Sequence, residues 1–303
     1  MGCKQCTLEP VISLVNNKQT LCRRCFIKYF ERKVRRTITQ FSMIQKRDHI
    51  GVALSGGKDS SALLYLLNNV QKKTGLFQLT ALFIDEGITK YRDRTLKFAQ
   101  EICKQQDVKL LIVSFKNEFD ATLDNFVKNS KLTPCTVCGV SRRYLLNKFA
   151  LKNGFTKLAT GHNLDDEAQS ILMNLFKNNQ SVQARLGPIT GLKNHPLFVR
   201  RIKPFYFLLE KEVATYAYLH KLLDLHECPY HKQGMREEIR TMLNSFESKY
   251  PGTKHGLIGG FMELLPLMKK KYAIEGEIGA CEQCGEPSSN RLCKCCVLME
   301  TIL

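Results

Sequence analysis

The sequence predicts an α/β protein: a doubly wound parallel sheet with a zinc ribbon at each end of the chain. Two observations carry this. Strand-like apolar runs alternate with helical stretches through the middle of the chain, the pattern of a parallel sheet with crossover helices on both faces. Cys-x-x-Cys pairs stand in twos at the ends, Cys3/Cys6 with Cys22/Cys25 and Cys281/Cys284 with Cys293/Cys296. The 303 residues suffice for two modest domains or one domain with appendages. The expected division is 1–28 for the first ribbon, 29–185 for the sheet domain, 186–270 for a helical or mixed extension and 271–303 for the second ribbon.

In order along the chain, the first two cysteine pairs are fifteen residues apart and the last two eight apart. Two such knuckles supply four thiolates to a closed tetrahedral zinc, and segments this short and polar do not fold on burial alone. Cys295 could replace Cys296 as ligand, though the spacing favours Cys296. Between the ribbons the strand-like runs are Ile50–Ser55, Leu79–Asp85, Val108–Phe115 and Phe155–Thr160. Leu63, Leu66, Leu67 and Val70 form one helical stripe; Ala168, Ile171, Leu172, Leu175 and Phe176 form another. Prolines at 188, 196, 204, 229 and 251 break the pattern of the extension.

Lys and Arg number 46 against 28 Asp and Glu, a formal net charge of +18. That surplus points to a polyanion, and nucleic acid is a better partner than a membrane surface in a chain without Trp. No apolar run is long enough to cross a bilayer, and MGCKQCTLEP has no apolar signal core. The expected location is cytoplasmic. Thirteen cysteines then read as metal ligands or chemistry, since cytosolic thiols stay reduced. Nine Lys or Arg between residues 21 and 50, set against Glu31 and Asp48, include Arg23, Arg24, Arg32, Lys33, Arg35 and Arg36. Phe26, Tyr29 and Phe30 are interleaved with them. A solvated helix face would explain the charges alone; with Arg200, Arg201 and Lys203 they are expected to form a track for an RNA backbone.

The first strand-like run leads into Ser55-Gly-Gly-Lys-Asp-Ser60 and then a helix. The two glycines let backbone amides turn inward, and the helix N-terminus adds donors and a positive dipole end, which suits phosphate. It is not a Walker A loop, because Gly57 stands where the lysine belongs.

SGGKDS resembles the pyrophosphatase loop, or PP-loop, of the ATP-pyrophosphatase superfamily. The likeness extends to LFIDEGI at Leu82–Ile88, PCTVCG at Pro134–Gly139 and ATGHNLDDEAQS at Ala159–Ser170. With both ribbons, these segments resemble the TtuA/TtcA-type tRNA 2-thiouridine synthetases over nearly the whole chain. The resemblance implies an adenine nucleotide alpha-hydrolase-like fold and an ATP-dependent tRNA sulfurtransferase that adenylates a uridine C2 oxygen and replaces it with sulfur, releasing AMP and pyrophosphate. It implies ATP contacts from Ala53, Ser55, Gly56, Gly57, Lys58, Asp59, Ser60, Ile84, Asp85, Arg142 and Gly161, with Lys58 and Arg142 balancing phosphate charge and Arg143 a weaker candidate. Asp166 becomes a catalytic carboxylate or Mg2+ ligand. The plain alternative is an Asn163 N-cap with Asp165, Asp166 and Glu167 in the first turn, Asp165 and Glu167 being structural or solvated.

Cys135, Cys138 and Cys228 are one thiolate short of a closed site. The resemblance implies that they hold a [4Fe-4S] cluster with one iron open; a persulfide route without a cluster is the alternative. Cys103 is left to the core. Sulfide or the thiocarboxylate of a ubiquitin-like protein could supply the sulfur, and a homodimer is compatible with the family. The wobble uridine is preferred over a T-loop uridine, because Asn and Gln are plentiful and charged residues only average. Two rivals differ in class. Another PP-loop tRNA-modifying ligase leaves the three central cysteines unexplained, and a non-catalytic zinc-ribbon RNA-binding protein leaves SGGKDS unexplained.

Overall fold

A computed structural model describes residues 2–15, 18–191, 195–223, 227–230, 234–272 and 278–302. The chain opens as a hairpin, β1 (Ile12–Leu14) antiparallel to β2 (Gln19–Leu21), and runs into α1 (Arg23–Gln40). Cys22 is the N-cap residue of α1 and Cys25 lies in its first turn, so ribbon and helix share a knuckle and the boundary expected at residue 28 falls inside the helix. Phe26, Phe30 and Val34 recur every four residues along α1 and are fully buried. Phe30 stacks on Tyr216 with ring centroids 4.1 Å apart, and the Tyr29 hydroxyl donates to Glu212 at 2.8 Å. Phe26 and Phe30 therefore serve the core, whereas half-buried Tyr29 lines a groove with Lys28, Arg32, Arg35 and Arg36.

The sheet domain follows as β3 (His49–Leu54), α2 (Lys58–Thr74), β4 (Gln78–Asp85), α3 (Tyr91–Gln106) and β5 (Lys109–Ser114). Helices α4 (Phe115–Phe119), α5 (Leu123–Asn129) and α6 (Pro134–Lys152) then lead to β6 (Lys157–Ala159), α7 (Leu164–Phe176), α8 (Gln180–Gln183) and β7 (Arg200–Ile202). The five strands lie in the order β5-β4-β3-β6-β7, every neighbouring pair parallel. Alternating crossovers keep Ile50, Val52, Ala81, Phe83 and Leu158 without exposure. The edge strand β7 corrects the reading of 186–270, since it extends the sheet beyond the boundary expected at 185. Three residues, two of them Arg, give no apolar run from which to read a strand.

Helices α9 (Glu210–Leu219), α10 (Met235–Lys249) and α11 (Thr253–Tyr272) complete the extension. Ala168 and Ile171 of α7 pack with Ile239, Leu243, Ile258 and Phe261 of α10 and α11. The stripe expected on α7 is shorter than read, because Leu175 and Phe176 at its end are exposed. The boundary expected at 270 falls inside α11. The second ribbon, β8 (Gly279–Ala280), β9 (Pro287–Ser288) and α12 (Lys294–Ile302), packs on α6 through Val140, Tyr144 and Met299. The Asn147 amide of α6 donates to Glu286 of this ribbon at 2.8 Å and to the Leu197 carbonyl at 2.9 Å. Among the described residues, no helix is long and apolar enough to cross a membrane.

The strand order reverses between β3 and β6, and ligands of open parallel sheets sit outside the strand ends at that point. The loops after β3 and β6 meet there. Because Phe30 is a core residue, Phe30→Ala is expected to lose about 3–5 kcal/mol of stability, the range for an emptied aromatic site, measured by denaturant unfolding.

Candidate active site at the switch point

The loop after β3 is shaped by its own side chains. Gly56 has φ +82°, and a Cβ there would stand 2.6 Å from the Thr95 carbonyl oxygen, so only glycine fits. The Ser60 hydroxyl accepts from the Ser55 amide at 3.1 Å and donates to the Gly57 carbonyl at 3.0 Å. Ser60 thus holds the loop closed from inside, and its buried hydroxyl faces the loop instead of a ligand. Gly57 is the N-cap residue of α2, whose first amides open into the cleft. Lys58 Nζ lies 3.1 Å from Asp59 Oδ2 and 3.0 Å from Glu210 Oε1, a cation held beside the phosphate-type loop by two carboxylates. Ile84 is buried at the end of β4, and Asp85 accepts from the Gly87 amide at 2.8 Å. Ala53 is half-buried one residue before the end of β3.

Opposite stands the loop after β6. A Cβ on Gly161 would lie 2.8 Å from the Asp59 carbonyl carbon and 3.0 Å from the Ser60 amide nitrogen. The close approach that requires glycine at this position is to the PP-loop backbone. The expected cap is present in full. Asn163 accepts from the Asp165 and Asp166 amides, and Asp166 Oδ2 accepts from the Asn163 amide at 3.1 Å, a reciprocal capping box. Asp165 and Glu167 are buried, not solvated: Asp165 pairs with Lys254, and Glu167 takes Lys203 at 2.7 Å. Asp166 alone of the three faces the cleft, with Arg236 4.0 Å away. Desolvation in the cleft, reinforced by the Asp59 carboxylate, pushes its carboxyl up to about 6. The same desolvation, with the charges of Lys203, Arg142, Arg201 and Arg236, holds the His162 imidazole neutral, down to about 3.

The three remaining chemical cysteines gather beside β4. Cys135, next to the Pro134 that opens α6, is exposed and its thiol donates to the Tyr230 carbonyl at 3.5 Å. Cys138, one turn on, is half-buried and its thiol reaches Glu86 Oε1 at 3.8 Å. Cys228 lies on the same apolar cluster as Cys138 and Tyr230, and burial raises both the Cys138 thiol, to about 11, and the Cys228 thiol. The Tyr230 hydroxyl donates to Asp124 at 2.8 Å, which ties this segment to the start of α5. Three thiols from two segments suit a cluster left with one open position. Glu86 and Arg92 were missed by sequence reasoning, although Glu86 stands inside LFIDEGI; Arg92 in α3 gives no signal at all.

Each ribbon set draws its four sulfur atoms within 4.8 Å of one another. The nearest pairs are Cys6–Cys22 at 3.4 Å, Cys6–Cys25 at 3.6 Å, and Cys281–Cys296 and Cys284–Cys293 at 3.7 Å. A tetrahedral ion at the usual zinc–sulfur length of about 2.3 Å sets sulfurs roughly 3.8 Å apart, so both sets fit. Cys296 belongs to the second set; buried Cys295 does not. Cys103 is buried in the core.

Of the expected RNA track, Arg23, Arg24, Arg32, Arg35 and Arg36 are exposed on α1, where Arg32, Arg35, Arg36, Lys28 and Gln5 line a shallow groove. Lys33 is half-buried and paired with Glu212 at 3.3 Å. Lys203 is 5% exposed and paired with Glu167, so it is removed from the track. Arg200 and Arg201 are half-buried on β7, where Arg201 donates to the Arg143 carbonyl at 3.3 Å.

A phosphate-type loop at the switch point of a parallel sheet defines a nucleotide-binding α/β protein. The PP-loop domain family matches residues 29–243, and the chain belongs to it. Within that family it belongs with the tRNA 2-thiolation proteins. It is 37% identical to the tRNA-5-methyluridine(54) 2-sulfurtransferase of Pyrococcus horikoshii, over 98% of this chain and 93% of that one. It is 34% identical to the cytoplasmic tRNA 2-thiolation protein 1 of Aspergillus niger, over 98% and 87%. The solved U34-tRNA thiolase NcsA from Methanococcus maripaludis, with its [4Fe-4S] cluster, is similar at TM-score 0.86 and 33% identity over 100% of this chain and 96% of that one.

The raised Asp166 carboxyl has a consequence for stability. From about pH 4 to about pH 6 the folded chain keeps a proton that the unfolded chain has lost, so this group's contribution weakens as pH rises. Asn at 166 cannot titrate, yet its amide oxygen still accepts from Asn163. Asp166→Asn is expected to gain stability relative to the wild type between about pH 4 and about pH 7, read by urea unfolding at both.

Proposed function

We propose that this chain is an ATP-dependent tRNA sulfurtransferase acting in the cytoplasm, which activates the C2 oxygen of a wobble uridine as an adenylate and replaces it with sulfur. The observation that carries this reading is the meeting of the SGGKDS loop and three non-ribbon cysteines at one cleft, joined through Glu86. The likeness to a U34 thiolase favours the wobble position, against a 37% identical relative named for uridine 54.

In this reading the amides of Gly56 and Gly57 and the start of α2 take the ATP phosphates, with Lys58 on the leaving pyrophosphate. Arg142, 43% exposed while its NH1 lies 3.4 Å from Glu86, is free to turn one edge of its guanidinium to phosphate. Nucleotidyl transfer depends mainly on positioning and charge stabilisation, which these groups supply. Asp59 and Asp166 would hold Mg2+: Asp59 Oδ1 is buried without a hydrogen-bond partner, and two nearby carboxylates with raised values gain from a shared cation. The uridine C2 oxygen attacks the α-phosphorus and pyrophosphate departs. Sulfur then bonds to C2, and AMP leaves with the former C2 oxygen. Cys135, Cys138 and Cys228 would hold the cluster, whose open iron supplies a binding place for hydrosulfide. The sulfur comes from free sulfide or from a thiocarboxylated ubiquitin-like protein. The two ribbon sets would hold structural Zn2+, and Arg23, Arg24, Arg32, Arg35 and Arg36 would run along the tRNA backbone.

Two experiments test this. In single-turnover assays with ATP, sulfide and tRNA, Lys58→Ala is expected to abolish AMP and pyrophosphate formation. Cys228→Ala is expected to eliminate thiolation and lower iron content while zinc content stays constant. Thiolation at the wild-type rate by Cys228→Ala overturns the three-cysteine site, and release of ADP with phosphate overturns adenylation. Nucleoside mass spectrometry on tRNA fragments locates the thiolated uridine.

The exposed cations make a separate prediction. Reversing Arg32, Arg35 and Arg36 to Glu should weaken tRNA binding strongly and flatten its salt dependence by about three in log–log slope, as three phosphate contacts are lost. An unchanged slope in filter-binding titrations returns these residues to an ordinary solvated face.

A further inference from the structure

Glu86 is 1% exposed, directly after the strand that ends at Asp85, and it is surrounded by groups from three other elements. On one side it pairs with Arg92 of α3, itself 4% exposed. The Arg92 guanidinium carbon lies 4.8 Å from the centre of the Phe83 ring, and its NH1 donates to the Ser55 carbonyl oxygen at 2.8 Å. Ser55 is the first residue of the PP-loop. On the other side the second Glu86 oxygen accepts from Arg142 at 3.4 Å and from the Cys138 thiol at 3.8 Å. One carboxylate thus joins the backbone of the phosphate loop to the helix that carries both Cys135 and Cys138.

A buried carboxylate persists only when paired, and both guanidiniums keep it ionised, well below the usual carboxylate range. The arrangement is unbalanced, because two cations share one anion. Arg92 is locked by burial, whereas Arg142 is the exposed partner and can exchange Glu86 for a phosphate oxygen. A nucleotide in the loop would act on this network at both ends, through the Ser55 carbonyl and through Arg142.

We propose that Glu86 is a positioning residue that couples occupancy of the nucleotide loop to the placement and accessibility of the Cys138 side chain on α6, a role that rests on the assignment of this cleft to ATP and the three cysteines. Binding at either end changes the partners of the same carboxylate, so the coupling is reciprocal. The charge of Glu86, beyond its volume, is what the coupling needs. Glu86→Gln keeps the shape but cannot hold two guanidiniums.

The test reads the thiol without recourse to turnover. Full-length protein purified without iron is treated with iodoacetamide, with and without α,β-methylene-ATP. Alkylation of Cys138 is followed by peptide mass spectrometry, and analogue affinity is measured by calorimetry. In the wild type the analogue is expected to change the Cys138 rate about fivefold, the lower end of ordinary coupling. In Glu86→Gln the ratio of the two rates is expected to fall to about one while the analogue still binds. Should Glu86→Gln fail to fold, Arg92→Lys serves, since an ammonium cannot span Glu86 and the Ser55 carbonyl with the same fork; the same loss of ratio is expected. A merely structural Glu86 would lower thermal stability and leave the ratio at its wild-type value, which overturns the proposal. So does a wild-type rate indifferent to bound analogue. A wild type that does not bind the analogue overturns the ATP reading beneath it, and the coupling with it.

Discussion

The contact between Gly161 and the backbone of Asp59 and Ser60 is the constraint around which the site is arranged. With no room for a Cβ, two loops from adjacent strands meet backbone to backbone where the strand order reverses. The meeting brings the N-termini of α2 and α7 together, and two positive dipole ends then open on one cleft. Everything nearby follows from that convergence. Asn163 and Asp166 cap α7 reciprocally, Ser60 ties the PP-loop to itself, and Asp59 comes close enough to raise the proton affinity of Asp166.

Charge in the cleft is divided by burial. Three acids follow one another at the start of α7, but only Asp166 keeps the cleft. Asp165 is drawn to Lys254 and Glu167 to Lys203, both pairs almost wholly buried. Such pairs gain little net stability over an apolar contact, yet removing one partner strands the other charge, so they fix the helix in one position. What faces the cleft beyond Asp166 is mostly cationic: Arg142, Arg201 and Arg236 with a neutral His162.

The sequence reading captured what local pattern encodes. Four strands, the glycine loop, the Asn163 cap and both four-cysteine sets were legible because each is written in a few consecutive residues: an apolar run, a Gly-Gly turn, an Asx cap, a Cys-x-x-Cys spacing. The errors share a cause. Lys203 reads as part of an RNA track and Phe30 as one of the aromatics interleaved with its basic residues until tertiary packing supplies Glu167 and Tyr216 as partners. The strand β7 is too short and too basic to announce itself, and it forms because β6 offers an unpaired edge. Glu86 stood inside a motif already singled out, but its importance depends on Arg92 and Arg142, residues six and fifty-six positions away.

Thirteen cysteines in one chain divide by surroundings, and the division separates scaffold from chemistry. The ribbon thiols face one another at the edge length of a zinc tetrahedron, so their chemistry is closed. Cys103 and Cys295 are buried, which keeps their thiols protonated and unreactive. Cys135, Cys138 and Cys228 fit neither group: they lie at the rim of a core cluster, partly open to the cleft, with Glu86 and two arginines at hand. The second ribbon packs on α6 through Val140 and Tyr144, just past the turn that carries Cys135 and Cys138, and Asn147 fastens helix to ribbon. The four-cysteine ribbon thus steadies the helix that carries two of the three remaining thiols. That gives the C-terminal ribbon a part in positioning those thiols, since its Leu298 and Ile302 belong to the apolar cluster on which Cys138 and Cys228 lie.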